Sequence, residues 1–210
     1  VVDADILVGS FGGGSGGVFE RVLAAAPKVK WVHTSSAGVD EVLGPQVLER
    51  DFTFTCGKGE SVASLLAEHA FALLLALTRG VVKSARLQSW QRDAFRQGVT
   101  ELRGLTMGIV GFGAVGEALA KRALAFEMRI LAIRAHPNAP PKGVDAVWGP
   151  NMLPELLTQS DVVVLILPNT PQTFDSFGEE QLRTMKDAAI LINIGRGQVV
   201  NGAALERALT

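Results

Sequence analysis

Near the middle of the 210-residue chain, the sequence runs Thr106-Met107-Gly108-Ile109-Val110-Gly111-Phe112-Gly113-Ala114-Val115-Gly116. Residues 106–110 are typical of a short buried strand, and the apolar pattern over 115–127 predicts a helix. The glycines between them fit G-x-G-x-x-G: the first makes a tight turn, the second lets a pyrophosphate approach, and the third lets helix and strand pack. The first N–H groups of such a helix attract phosphate. We therefore predict a dinucleotide site formed by Gly111, Gly113, Ala114, Val115 and Gly116. A tight turn without a ligand is the alternative.

The remainder of the second half alternates strands with helices. Residues 129–133, 161–167 and 189–194 are apolar runs that predict buried strands, with short helical patterns between them. Such alternation implies a parallel sheet whose crossovers are right-handed. We therefore assign residues 101–210 to a Rossmann-type, doubly wound α/β domain.

The first half shows a weaker version of the same alternation. Three short apolar runs predict strands, at 6–8, 29–33 and 52–56. Residues 61–78 predict a long helix, which we interpret as buried, and the polar stretch 81–100 follows it. We assign residues 1–100 to a second α/β lobe, with the lobe boundary near residue 100.

The end of strand 129–133 carries a residue that bears on the choice of cofactor. Ligands of open α/β sheets bind outside the carboxyl ends of the strands, where an acidic residue binds the ribose 2′-hydroxyl of NAD. Arg134 stands at this position instead, and an arginine suits the 2′-phosphate of NADP. We therefore predict NADP rather than NAD, with His136 close by. A solvated arginine at the strand end is the alternative.

Two more segments follow strands at the same edge of the predicted sheet. Pro168 and Thr173 belong to the first segment, Gly195 and Arg196 to the second, and we predict that Pro168, Thr173 and Gly195 contact the cofactor. Arg196 stands between two glycines, which leave its guanidinium accessible for a bidentate grip on a carboxylate. A surface arginine in a turn is the alternative.

The composition excludes several classes of partner. Lys and Arg total 20 against 21 Asp and Glu, so the net charge of −1 gives no reason to expect nucleic acid or an anionic membrane. The longest apolar stretch carries Glu68 and His69, which disfavours a membrane span. The single cysteine, Cys56, excludes an internal disulfide and a cysteine-cluster metal site. It fits a reducing compartment, so we expect a cytoplasmic protein without a bound metal.

A second glycine-rich segment, 12–17, also fits a catalytic pattern. Ser15 lies within G-x-S-x-G, the turn that presents the nucleophile of many hydrolases. Five glycines among six residues make such a match common by chance, and so much glycine is costly to order. We interpret the segment as a flexible surface loop and keep a hydrolase as the weakest alternative.

Together these segments resemble the D-isomer-specific 2-hydroxyacid dehydrogenases. The resemblance extends over nearly all 210 residues, in the order and spacing of the family. The matching segments are Val29–Asp40, Ala67-Glu68-His69 with Arg79, Leu102–Gly116, Leu167–Thr173 and Met185–Gly197.

The resemblance implies a fold, an activity and roles for particular residues. It implies a flavodoxin-like substrate lobe beside the Rossmann domain, and commonly a homodimer. The expected reaction interconverts a small 2-oxoacid, such as glyoxylate or hydroxypyruvate, and its D-2-hydroxyacid with NAD(P)H. By the motif match, Arg196 orients the substrate carboxylate and carbonyl, and the backbone amides at Ala37 and Gly38 hold the carboxylate. Residues 113–116 cradle the pyrophosphate.

One part of the family pattern is missing. The family's general acid is a histidine paired with a Glu or Asp in a segment downstream of the Arg-Gly motif. We find no such segment here and expect both lobes to be incomplete, as parts of a longer enzyme. We interpret Glu68 and His69 as buried structure, His136 as loop or cofactor edge, and His33 as the least unsuitable substitute acid. A dinucleotide-binding sensor without turnover is the competing function.

Overall fold

The computed structural model of the chain describes residues 2–11, 17–40, 42–57, 59–89, 92–96 and 98–210. Ser15 and the glycines before it lie outside these residues, so the hydrolase alternative is not examined by the structure. The described residues form two compact units, 1–59 and 60–210. In them, no helix combines the length and the apolar character that crossing a bilayer requires.

The first unit is a three-stranded parallel sheet with helices between its strands. In chain order it contains β1 (Ile6–Gly9), α1 (Val18–Ala24), β2 (Trp31–Thr34), α2 (Pro45–Leu48) and β3 (Thr53–Cys56). The strands lie in the order β1-β2-β3. The core, which includes Phe19, Leu23 and Val32, lies between the sheet and helix α1. This is the alternating parallel arrangement that the predicted flavodoxin-like lobe requires.

The second unit is a five-stranded parallel sheet with helices on both faces. Its elements are α3 (Glu60–Thr78), α4 (Val81–Ala85), α5 (Arg92–Arg96), β4 (Thr106–Val110), α6 (Ala114–Ala125), β5 (Arg129–Ile133), β6 (Ala146–Trp148), α7 (Leu153–Gln159), β7 (Val162–Leu165), α8 (Glu179–Thr184), β8 (Ile190–Asn193) and α9 (Gly202–Leu209). Single 3-10 turns cover Pro150–Met152 and Gly197–Val199. The strand order is β6-β5-β4-β7-β8, the doubly wound arrangement, so the predicted Rossmann fold is confirmed.

Side chains of the central strands alternate between two cores. Ile109 and Val164 pack into the core that contains residues of α3 and α6, whereas Val110 and Leu165 pack into the core that contains residues of α7. Every residue of β4 and β7 is buried, as expected for parallel strands covered on both faces.

Most predicted elements lie where the sequence places them. The strands predicted at 106–110 and 129–133 are confirmed to the residue. The helix predicted over 115–127 instead begins at Ala114 and ends at Ala125. It stops early because Glu127 adopts a left-handed conformation with φ of 56°, which a right-handed helix does not accept.

The long helix α3, which the sequence analysis interprets as buried, is buried along one face only. One face, which includes Ala67, Ala70 and Leu74, packs in the second unit against α6 and β8. Leu65 and Leu77 are 65% and 59% exposed. Helix α3 thus belongs to the compact unit 60–210, and the functional lobe boundary near residue 100 stays a prediction.

Candidate cofactor and substrate site

The glycine turn after β4 is fixed by its contacts with the neighbouring strands. Gly111 has φ of +107°, and a Cβ atom there would lie 2.6 Å from the carbonyl oxygen of Ile166. The backbone N–H groups of Gly111 and Phe112 both donate to the carbonyl oxygen of Ile133, at 3.0 Å. Only glycine satisfies both the positive φ and this close approach, as the motif predicts.

The start of helix α6 offers an open cradle. A Cβ atom at Gly116 would lie 2.9 Å from the carbonyl oxygen of Gly111, so this third glycine lets helix and turn pack closely. At Gly113 a Cβ atom would meet nothing within 4 Å. No side chain caps the helix at Gly113. The exposed N–H groups and the positive end of the helix dipole therefore suit a pyrophosphate, and the residues fit the expected dinucleotide.

The glycine turn lies at the topological switch point of the sheet, where the strand order reverses. The central strand β4 pairs with β5 on one side and with β7 on the other. Consecutive strands are therefore added on opposite sides of β4, and the crevice outside the carboxyl ends at such a point is where open α/β sheets bind ligands. The loops that follow β7 and β8 begin at this same edge of the sheet.

The loop after β7 is held together by two threonines. The hydroxyl of Thr173 donates to the carbonyl oxygen of Pro168 and accepts from the backbone N–H of Thr170 at 2.9 Å. The hydroxyls of Thr170 and Thr173 lie 3.0 Å apart. The Thr173 side chain, predicted as a cofactor contact, thus shapes the loop internally, while Pro168 is exposed at its start.

The loop after β8 places Arg196 at the same edge of the sheet. The side chain of Asn193 accepts from the backbone N–H of Gly195 and donates to the carbonyl oxygen of Arg196, both at 3.0 Å. A Cβ atom at Gly195 would lie 2.6 Å from the carbonyl oxygen of Leu167. The half-buried Arg196 therefore stands on a loop that is fixed both by its own strand and by the end of β7.

Arg134 and His136 lie beyond the end of β5. The backbone N–H of Arg134 donates to the carbonyl oxygen of Trp148 at 2.9 Å, and its guanidinium donates to Oδ1 of Asn138 at 3.1 Å. Arg134 is half-buried and His136 is exposed. The structure thus holds a cation at the strand end where the sequence predicts the contact with a 2′-phosphate.

The remaining predicted site residues belong to the first unit. Ala37 and Gly38 lie half-buried in the loop that follows β2. His33, on β2 itself, has its Nδ1 atom 2.9 Å from the hydroxyl oxygen of Thr55 on β3. That hydroxyl also accepts from the indole N–H of Trp31 at 2.8 Å, so His33 takes part in a side-chain network on the sheet surface.

The interpretation of Glu68 and His69 as buried structure is wrong. Both are exposed, because the buried positions of α3 recur at 63, 67, 70, 71 and 74 and pass over them. Glu68 instead pairs with Arg122 of α6 at 2.7 Å and accepts from Ser64. The hydrogen bond from Arg122, with a second from Ser64, lowers the pKa of Glu68.

Sequence reasoning missed Asn193 and Thr170, which brace the two loops. A signal for Asn193 exists, because an Asn two residues before a Gly at the end of a strand is typical of a side chain that accepts from the backbone two residues on. Thr170 gives no comparable signal, since its role depends on how the loop after β7 folds back.

The strand order, the glycine turn and the uncapped helix define the class of protein: a Rossmann-type nucleotide-binding domain. The chain belongs to the family of D-isomer specific 2-hydroxyacid dehydrogenases, because residues 71–210 match the model of that family's NAD binding domain. This confirms the resemblance found in the sequence.

Individual relatives agree with this assignment. The chain is 38% identical to glyoxylate reductase of Pyrococcus furiosus, over 100% of this chain and 63% of that protein. It is 34% identical to glycerate dehydrogenase of Methylorubrum extorquens, over 89% of this chain and 59% of that protein. A solved structure of a D-isomer specific 2-hydroxyacid dehydrogenase family protein from Aeromonas salmonicida superposes with a TM-score of 0.83 and 30% identity, over 98% of this chain and 64% of that one. The chain thus spans about three fifths of the length of these relatives.

Proposed function

We propose that this chain belongs to an NAD(P)-dependent oxidoreductase that interconverts a small 2-oxoacid and its D-2-hydroxyacid. The observation that carries the proposal is that the open start of α6 and the loop of Arg196 lie at one edge of one sheet. A pyrophosphate site and a fixed guanidinium are what a dehydrogenase acting on a carboxylate substrate requires. Glyoxylate and hydroxypyruvate are the substrates we expect, since named relatives are glyoxylate reductase and glycerate dehydrogenase.

The proposed roles of the chain's own residues follow from the negative charge of the substrate carboxylate and from the charge that develops on its carbonyl oxygen. The reduced nicotinamide supplies a hydride when it is bound. Arg196 holds the substrate carboxylate in two parallel hydrogen bonds and lies close to the carbonyl oxygen, where negative charge develops during reduction. For the backbone N–H groups near Ala37 and Gly38, in the first unit, binding of the substrate carboxylate stays a prediction of the resemblance. The alkoxide also needs a proton, which the resemblance assigns to a histidine in a segment downstream of the Arg-Gly motif.

The test is a turnover assay with the full-length product of the gene. Loss of reduced-nicotinamide absorbance on adding glyoxylate or hydroxypyruvate is the expected result, and the product should be the D-hydroxyacid. Tight binding of NAD(P)H without turnover of any small 2-oxoacid would contradict the proposal and favour the sensor. Absence of NAD(P)H binding would contradict both.

We propose NADP as the preferred cofactor. The support is the guanidinium of Arg134, which Asn138 holds at the end of β5, where an acidic residue would favour NAD. His136 in the same exposed loop can add a second donor to a 2′-phosphate. Equal affinities for NADH and NADPH would contradict this choice.

We also propose a homodimer, in which α3 contacts α3 of a second copy. The outer face of this helix exposes Leu65, Leu73 and Leu77, at 65%, 41% and 59%. An antiparallel pairing would bring the Glu60 end of one helix beside the Arg79 end of the other, so the charges at the ends would attract.

We propose a cytoplasmic location as well, which the single cysteine supports.

A further inference from the structure

The side chain of Asn193 spans the loop that carries Arg196. Asn193 is the last residue of β8, and its carboxamide makes two hydrogen bonds within the next three residues. Its Oδ1 atom accepts from the backbone N–H of Gly195 at 3.0 Å, and its Nδ2 atom donates to the carbonyl oxygen of Arg196 at 3.0 Å. One side chain thus connects the end of β8 to the backbone N–H of Gly195 and to the carbonyl oxygen of Arg196.

Other contacts hold the ends of this loop. The backbone N–H of Ile194 continues the strand ladder by donating to the carbonyl oxygen of Leu165 at 3.1 Å. The carbonyl oxygen of Arg196 accepts a second hydrogen bond, from the backbone N–H of Val199 at 3.2 Å. The two glycines beside Arg196 give this backbone more conformational freedom than other residues would. The carboxamide of Asn193 limits this freedom from the strand side.

We propose that Asn193 is a positioning residue that fixes the backbone of Arg196, so that its guanidinium meets the substrate carboxylate in a bidentate geometry. This inference rests on the proposed function of Arg196. A guanidinium is planar and its two hydrogen bonds to a carboxylate need a defined approach, so a shift of the backbone behind it weakens both bonds together. In this role Asn193 acts through the backbone of Arg196 and not on the substrate itself.

The chain contains a matched control for this role. Asn201, half-buried just before α9, is also an asparagine whose carboxamide makes two hydrogen bonds: its Oδ1 accepts from the backbone N–H of Ala204 at 2.7 Å, and its Nδ2 donates to Oδ2 of Asp175 at 2.9 Å. Asn201→Ala removes the cap of α9 and tests what the loss of two such bonds does to stability alone.

The experiment compares Asn193→Ala and Asn201→Ala in the full-length protein. For Asn193→Ala, kcat/KM for glyoxylate should fall about 10-fold to 100-fold, as for a small misplacement of a catalytic group. The affinity for oxalate, an unreactive dicarboxylate, should fall in parallel, while the Kd for NAD(P)H should change less than about two-fold, since the glycine turn is untouched. Asn201→Ala should lower the unfolding temperature by a similar amount and leave kcat/KM near that of the wild type.

A double variant separates positioning from general destabilisation. If Asn193 acts through Arg196, then adding Asn193→Ala to Arg196→Ala should cause little further loss of kcat/KM, because the group being positioned is already absent. Additive losses would overturn the inference, as would a wild-type kcat/KM in Asn193→Ala. If the wild-type protein turns over no 2-oxoacid, the proposed function fails, and the inference fails with it.

Asn193→Asp keeps the shape of the side chain and guards against misfolding of the alanine variant. Its carboxylate can still accept from Gly195 but has no donor for the carbonyl oxygen of Arg196. We expect kcat/KM to fall as in Asn193→Ala, with the fold retained by circular dichroism. An Asp variant with wild-type kcat/KM would show that the bond to Arg196 does not position the guanidinium.

Discussion

Gly195 packs directly against Leu167, since a Cβ atom at Gly195 would lie 2.6 Å from the Leu167 carbonyl oxygen and 2.8 Å from its backbone nitrogen. Both neighbours are backbone atoms of Leu167, two residues beyond the end of β7, and they cannot rotate away as a side chain can. The loop that carries Arg196 is therefore seated on the neighbouring strand, and its position depends on the absence of a side chain at residue 195.

Gly195→Ala should consequently displace the Arg196 loop. We expect a loss of about 1–3 kcal/mol in the free energy of unfolding, as for other overpacked sites, together with a loss of 2-oxoacid turnover. Denaturant unfolding and steady-state kinetics measure the two effects. Gly202→Ala is the control for stability, because a Cβ atom there would meet nothing within 4 Å. A Gly195→Ala protein as stable and active as the wild type would contradict this account.

The start of α6 gives a prediction about cofactor binding alone. Gly113→Asp adds a carboxylate where Gly113 is open to solvent and where we propose that the pyrophosphate binds. Like-charge repulsion should raise the Kd for both NADH and NADPH by about 10-fold or more, without an equal loss of stability. Fluorescence titration of bound NAD(P)H measures the change.

The control for this substitution is Gly202→Asp at the start of α9, which Asn201 caps and where a Cβ atom would meet nothing within 4 Å, so the same chemical change lies away from the proposed site. It should leave both dissociation constants unaltered. If Gly113→Asp binds NAD(P)H as tightly as the wild type does, the pyrophosphate does not lie on the start of α6.

Much of this geometry could be predicted because it is dictated by burial and by glycine. The sequence predicts strand β4 to the residue, since each of its positions is apolar or small and all of them are buried. Gly111 is predictable from the glycine motif, because the positive φ and the contact with Ile166 at this turn exclude other residues. In these cases the local sequence and the tertiary environment impose the same requirement.

The errors arise where local sequence leaves several outcomes open. Helix α3 carries leucines on both its buried and its exposed face, so the sequence alone does not show which face has a partner or that His69 is exposed. The bonds of Thr170 and Thr173 depend on a loop that folds back on itself. Asn193 was overlooked because its hydrogen bonds serve the backbone of a neighbour rather than a ligand.

Arg134 gives a prediction about cofactor preference. Arg134→Asp removes the cation and places a carboxylate at the end of β5, which suits a ribose 2′-hydroxyl and repels a 2′-phosphate. The Kd for NADPH should rise about 10-fold or more, since hydrogen bonds to charged groups contribute about 1.5–3 kcal/mol, while that for NADH should stay level or fall. Asn138→Ala, which only releases the guanidinium, should keep the preference for NADPH. An unchanged ratio of the two constants in Arg134→Asp would refute the role of Arg134.

Asp161 gives a prediction about stability and pH. Burial alone would raise the pKa of this carboxyl, but hydrogen bonds from Lys186 at 2.8 Å and from the backbone N–H of Thr106 at 2.8 Å outweigh it and lower the pKa below the ordinary 3.8. Because the folded-state pKa lies below the unfolded-state pKa, the carboxylate stabilises the fold above the ordinary pKa, and this stabilisation is lost as the pH falls through the lower value.

Asp161→Asn should therefore lower the free energy of unfolding at neutral pH by about 1–3 kcal/mol and flatten its decline below about pH 4. Urea unfolding at a series of pH values gives both quantities. Asp187→Asn, at an exposed carboxylate one residue beyond Lys186, is the control and should follow the wild-type curve. A variant at Asp161 whose curve keeps the wild-type slope in acid would show that other carboxylates cause it.

The outer face of α3 gives a prediction about assembly. Leu65, 65% exposed on this helix, is one of three leucines that would be buried in the proposed antiparallel contact between two copies. Leu65→Lys would place an ammonium group against an apolar partner surface, because the two copies present the same face to each other. The dimer dissociation constant should rise by at least about 10-fold, as for a central interface residue. Sedimentation over a range of protein concentrations measures this dissociation constant.

The control is Leu209→Lys, which alters a leucine that is 78% exposed on α9, away from the proposed contact, and should leave the dimer intact. Equal sedimentation of the two variants would exclude α3 as the contact surface, and a monomeric wild-type protein would exclude the dimer itself.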